Sequence, residues 1–188
     1  MEALNIWRRC FGYSCIRSNH LFTAKKFQPT EQSNVQIHWQ CITNLQCGFA
    51  VTFPSKPFRN PQSVDDLQNV TLYKQFASVL GDQVFMVTTG QTSQTNYFSS
   101  EQISLMLDRI GETMKGMGKF IGERDITLGT NMGREFEVQY TNGSFLKTHC
   151  YIIGDNIQQV TVVQPQPFTS RGSTNITYFL DSFSLISK

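Results

Sequence analysis

Between Arg134 and Val163 the chain reads REFEVQYTNGSFLKTHCYIIGDNIQQVTVV. Phe136, Val138 and Tyr140 alternate with Glu135, Glu137 and Gln139, a period of two that puts apolar and polar side chains on opposite faces of a strand. Two more β-branched and aromatic runs follow, Phe145–Ile153 and Ile157–Val163. Asn142-Gly143 and Gly154-Asp155-Asn156 separate the three. Asn-Gly suits a two-residue type I′ turn, because both central residues tolerate positive φ. Connections this short join antiparallel neighbours. Pro165 and Pro167 close the last run, since proline brings no N–H to a ladder.

Toward the N-terminus one more strand is predicted over Phe120–Leu128, and ahead of it the period changes. Ile103, Leu107, Ile110, Met114 and Met117 recur at steps of four and three, the stripe of an amphipathic helix. Ser99 with Gln102 three residues on forms a capping box, and Gly116 and Gly118 supply the exit. Earlier strands are expected over Val35–Thr43, Cys47–Phe53, Val70–Leu80 and Val84–Thr89. Asn44 breaks the first pair, and Gly81-Asp82 makes a tight turn in the second. Ser55–Gln62, bordered by Pro54 and holding Pro57 and Pro61, reads as a loop. After the polar stretch Gln164–Thr174, a closing helix is expected to carry Ile176, Phe179, Leu180 and Phe183 on one face. The order is ββββ-α-ββββ-α, an α+β domain with a meandering antiparallel sheet and two main helices.

The domain is expected to run from residue 35 to 188, with residues 1–34 as a basic tail. Residues 1–27 hold five basic residues against Glu2 alone, a charge of +4; the remaining 11 basic and 13 acidic residues give −2. A nucleic-acid partner needs Lys and Arg clustered on the folded face, and the folded part is slightly acidic, so that class is excluded. No run of about 18 apolar residues occurs, so no transmembrane helix is expected. The tail has no continuous apolar core of a secretory signal. Its basic, acid-poor composition fits either a targeting segment or a disordered tail. Both extracytoplasmic and cytoplasmic or organellar compartments stay open, as does the oligomeric state.

No motif for catalysis stands out. There is no G-x-S-x-G, and the three histidines are His20, His38 and His149. His149 adjoins Cys150, but neighbours on a strand point to opposite faces and make no dyad. Asp65-Asp66 and Glu123 with Asp125 lack the spacing of a calcium loop. In MKGMGKFIG the glycines follow a helix and open a strand, the reverse of a phosphate-binding loop. Met106, Met114 and Met117 read as core. No C-x-x-C occurs among Cys10, Cys15, Cys41, Cys47 and Cys150, so neither a metal nor another cofactor is expected. With Asn44 at a turn centre, Cys41 and Cys47 face each other across a hairpin, and a disulfide between them is expected if the protein is exported.

The segment HWQCITNLQCGFAVTFPSKPF, His38–Phe58, resembles the opening of the PsbP-like family of small exported proteins. Trp39, Thr43-Asn44, Gly48-Phe49, Val51, Phe53-Pro54 and Lys56-Pro57 occupy the family's positions. The likeness continues through LDRIGETM, GREFEV and YFLDSFSL, and spans residues 37–185. It implies a curved antiparallel sheet with helices packed on it and an extracytoplasmic home. It implies little about activity, since the family is mostly of unassigned function and the fold's known members are adaptors and assembly factors. The expected function is a non-enzymatic binding or adaptor module for a protein or peptide. The alternatives are a hydrolase built from groups such as Arg134, His149, Asp, Glu and Tyr that converge only in space, or an exported small-ligand or metal binder.

Overall fold

The structure, a computed structural model, describes residues 37–60, 70–92, 98–168 and 173–186. The expectations for residues 1–34, for His20 and for Asp65-Asp66 lie outside the described residues. Among the described residues ten strands and two helices follow one another as β1 (Gln40–Asn44), β2 (Phe49–Phe53), β3 (Phe58–Asn60), β4 (Val70–Leu80), β5 (Gln83–Thr92), α1 (Ser100–Lys115), β6 (Gly118–Leu128), β7 (Asn131–Tyr140), β8 (Phe145–Ile153), β9 (Asn156–Gln164), α2 (Ser173–Asp181) and β10 (Ser184–Leu185).

The class is α+β and every strand pairing is antiparallel, as the sequence predicts. The strands form two sheets rather than one: a small sheet ordered β1-β2-β10 and a large one ordered β3-β4-β5-β9-β8-β7-β6. Two short strands escape the sequence reading. β3 lies inside the proline loop, and β10 follows a helix that ends at Asp181, before Phe183. The large sheet is also not a single meander. β5 pairs with β9, because α1 carries the chain from the sheet's middle to its far edge at β6.

Helix α1 begins as expected. Ser99 and Gln102 exchange side-chain and backbone hydrogen bonds, at 3.3 and 2.8 Å, so two otherwise orphaned N–H groups are satisfied. Its stripe buries Leu107, Ile110 and Met114 against Phe136, Val138, Leu146, Cys150 and Ile152 on one face of the large sheet. Gly111 allows this approach, since an added Cβ would meet the Phe136 ring at 3.2 Å.

The opposite face of the large sheet carries the second core. Phe85, Val87, Val160, Val162 and Tyr151 pack there against Phe49, Val51 and Phe53 of β2 and against Ile176, Phe179 and Leu180 of α2. Phe179 is fully buried, with its ring centroid 5.2 Å from those of both Phe53 and Phe85. Each such buried aromatic contributes about 1.5–3 kcal/mol. The small sheet and α2 therefore cap one face of the large sheet, and α1 packs on the other.

Two turns differ from expectation. Asn142-Gly143 is not a type I′ turn: Gly143 has φ +86°, but no non-glycine residue among those described has positive φ. Tyr140 N–H donates to Ser144 O, so the loop holds three residues, Thr141 to Gly143. At the first hairpin the turn is Leu45–Gly48 rather than one centred on Asn44. Gly48 sits at φ +71° and donates to Asn44 O at 2.8 Å, and Asn44 Oδ1 accepts from Cys47 N–H at 2.9 Å.

Candidate functional site

The one-residue difference at the Thr141–Gly143 loop fixes what meets on the capped face. A two-residue loop would set Glu135 opposite Cys150. The three-residue loop sets Glu135 opposite His149, Glu137 opposite Lys147 and Gly133 opposite Tyr151. On the outer side Arg124 of β6 lies opposite Glu135.

These side chains form a chain of partners. Arg124 donates to both Glu135 carboxylate oxygens, at 2.9 and 3.0 Å. His149 Nε2 lies 2.8 Å from Glu135 Oε2. Burial works against the Glu135 charge, but His149, Arg124 and Lys147 outweigh it and hold the carboxyl at about 2. An ionised carboxylate only accepts, so His149 Nε2 carries the proton and donates. Its Nδ1 lies 3.4 Å from the Tyr151 hydroxyl, and accepts from it when the ring is neutral. Burial, followed by nearby Cys150, Asp181 and Glu135, pushes that hydroxyl up to about 12. Lys147 Nζ lies 3.2 Å from Glu137 and 5.1 Å from the Phe168 ring centroid.

Next to this network, along the same face, lies a cleft of about 300 Å³. Its walls are the β1–β2 turn (Gln46, Cys47, Gly48), the end of β5 (Thr89, Gln91), the β8–β9 hairpin (Ile153, Asp155, Asn156, Gln158) and the C-terminal segment (Leu185, Ile186). Gln158 is 2% exposed. Its Nε2 donates to Cys47 O at 3.1 Å, which fixes the amide's orientation. Its Oε1 is buried and has no partner. Asp155 Oδ2 accepts from Gln91 at 2.7 Å, and Oδ1 from Asn156 at 2.6 Å. Tyr151 stands between network and cleft: it lies opposite Gln158 on β9, and its ring stacks on Phe183 at 6.0 Å.

Of the residues singled out from the sequence, few meet. Cys41 is an exposed free thiol opposite Thr52, whereas Cys47 is buried within the turn. The register thus corrects the geometry on which the expected Cys41–Cys47 bridge rested. His38 is exposed ahead of β1 rather than inside a strand. Cys150 points away from His149 into the α1 core, where burial pushes its thiol up to about 12. Glu123 and Asp125 sit on β6, within the predicted strand. With Asp108 they surround Arg134, at 3.9, 2.9 and 2.7 Å. Gly116 caps α1 and a strand follows, so MKGMGKFIG is a connection. Among the described residues, no three His, Cys, Asp or Glu side chains come together as metal ligands. The residues missed were Gln158, Gln91 and Gln46, because a glutamine carries no motif and the cleft gathers segments more than a hundred residues apart.

No family model and no curated protein matches the sequence. A solved structure does match in shape: cyanobacterial PsbP (CyanoP) from Synechocystis sp. PCC 6803, with a TM-score of 0.55 over 84% of this chain and 98% of that one. The fold is PsbP-like. At 9% identity the likeness is one of backbone path alone. On this PsbP-like frame the cleft lies where the small sheet and the C-terminal strand meet the large sheet. Among the described residues no helix is long and apolar enough to cross a membrane.

Proposed function

We propose that the protein is a non-enzymatic binding module that docks a protein or peptide at the cleft between its two sheets. One observation carries the reading. Gln158, a residue of the lining of a cleft with four walls, has a buried amide oxygen, Oε1, without a partner. Leaving such an acceptor unsatisfied costs about 1–3 kcal/mol, a cost relieved when a partner brings a donor. The lining also holds Asp155 and the amides of Gln46, Gln91 and Asn156 beside apolar Ile153, Leu185 and Ile186, the mix of polar and apolar groups that reads a peptide. Panning a random peptide library against the full-length chain tests this. Enriched sequences should bind as synthetic peptides with Kd below about 100 μM. Recovery of none under repeated selection would end the reading.

A hydrolase is the second reading, favoured by the line of Glu135, His149 and the Tyr151 hydroxyl. These stand in the carboxylate–imidazole–hydroxyl order of a nucleophilic triad. Three features weigh against it. The hydroxyl is pushed up to about 12, its residue is buried with the ring stacked on Phe183, and neither Tyr151 nor His149 lines the cleft. Ester turnover that falls by about tenfold or more in His149→Ala would favour this second reading over the first.

A further inference from the structure

We infer that the cleft takes a basic side chain, a guanidinium or ammonium group, as the anchor of the docked peptide; this rests on the binding reading above. Hydrogen-bond capacity selects this occupant. Gln158 Oε1 is a buried acceptor with nothing donating to it. Asp155 accepts one neutral amide donor on each oxygen, and a carboxylate has about four lone-pair sites, so it has capacity left. Among the described lining residues Asp155 is the only acidic or basic side chain, which gives the cleft a negative character. What the wall lacks is therefore donors carrying positive charge. Lys and Arg are the side chains that donate only, and the Arg fork reaches two acceptors at once.

The apolar half of the wall supports the same occupant. Ile153, Leu185 and Ile186 border the cleft together with the buried Cys47. A basic side chain has a methylene stem that lies along such a surface while its head reaches polar groups. A carboxylate or phosphate would meet Asp155 with like charge and leave Gln158 Oε1 unsatisfied. A purely apolar group would leave both acceptors dry.

The test titrates the isotope-labelled full-length chain with Nα-acetyl-arginine N-methylamide, its neutral citrulline counterpart and the glutamate counterpart, followed by NMR. The arginine probe should move the backbone signals of Gly48 and Asn156 and the side-chain amide of Gln158. It should saturate in the millimolar range, about fivefold below the citrulline probe in Kd. Asp155→Asn should remove most of that preference while the spectrum stays dispersed. Gln158→Met should weaken the probe to a similar degree. Equal binding of arginine and citrulline, shifts confined to other surfaces, or no shift at ~20 mM probe would each overturn the inference. Peptide panning separates the two claims. Enriched peptides that lack a basic residue, or bind Asp155→Asn unchanged, would leave the binding reading standing and remove this one. Panning that yields nothing would remove the binding reading and the basic anchor with it, whatever the probe does.

Discussion

The network around Glu135 and the cleft around Gln158 occupy one face of one sheet, joined by Tyr151, yet they are built on opposite terms. In the network the central carboxylate meets Arg124, His149 and Lys147, and the imidazole bonds on both sides. Inside a protein such bonds strengthen one another, and a fully partnered cluster fixes the strands that carry it. In the cleft a buried acceptor has no donor, and the single charge has capacity to spare. A satisfied polar cluster has nothing left to offer a ligand; an unsatisfied one does. On the function proposed above, the first serves structure and the second binding.

The most severe way to break this arrangement is Gly133→Ala. Gly133 lies under the Tyr151 ring, and a Cβ there would collide with Tyr151 Cδ1 and come within 2.6 Å of Cys150 O. The backbone on one side of that contact cannot give way cheaply. Overpacking of this kind costs about 1–3 kcal/mol, and the upper end is expected here. Urea unfolding should show it, with both the His149 and the Gln158 side-chain NMR signals displaced. A variant as stable as the parent would mean that Tyr151 does not hold the two regions in place.

Glu135→Gln attacks the network alone. It keeps the shape but removes the charge that Arg124, His149 and Lys147 surround, at an expected cost of about 1–2 kcal/mol near neutral pH. The pH dependence has a definite sign. Glu135 is lowered from 4.5 to about 2, so its contribution is complete above 4.5 and is lost as pH falls toward 2. The parent should lose stability across that window, and Glu135→Gln should lose visibly less. Equal acid sensitivity in the two proteins would remove Glu135 from the centre of the network.

Much of this was legible in the sequence because it is local. The alternation in Arg134–Tyr140, the capping box at Ser99 and the stripe from Ile103 to Met114 need only neighbours to be read, and the structure has each of them. What failed was non-local or decided by one residue. β3 and β10, at three and two residues, are too short to show a period. β10 exists only because β2 lies beside it, more than 130 residues away in sequence. The network was hidden by the Asn142-Gly143 turn. Read as two residues it sends Glu135 and His149 to opposite faces; at three residues it pairs them. The cleft had no local signature at all, since its four walls come from residues 46–48, 89–91, 153–158 and 185–186.

The finest test of the contrast is Gln158→Met, for which the smallest stability change is expected. Two effects oppose each other. The substitution removes the Nε2 hydrogen bond to Cys47 O, a bond worth about 0.5–1.5 kcal/mol net. It also removes a buried oxygen that has no partner, relieving a desolvation cost of similar size. Met matches Gln in length and bends into irregular space, so no large cavity opens. The stability of the unliganded protein should therefore change by less than about 0.5 kcal/mol in either direction. The same side chain lost from a saturated cluster, as at Glu135, costs more because its partners are then stranded. If Gln158→Met instead cost about 2 kcal/mol or more, Gln158 would be holding the β1–β2 turn to the large sheet as a structural strut. The cleft would then be as fully committed as the network, and the distinction between the two regions would disappear.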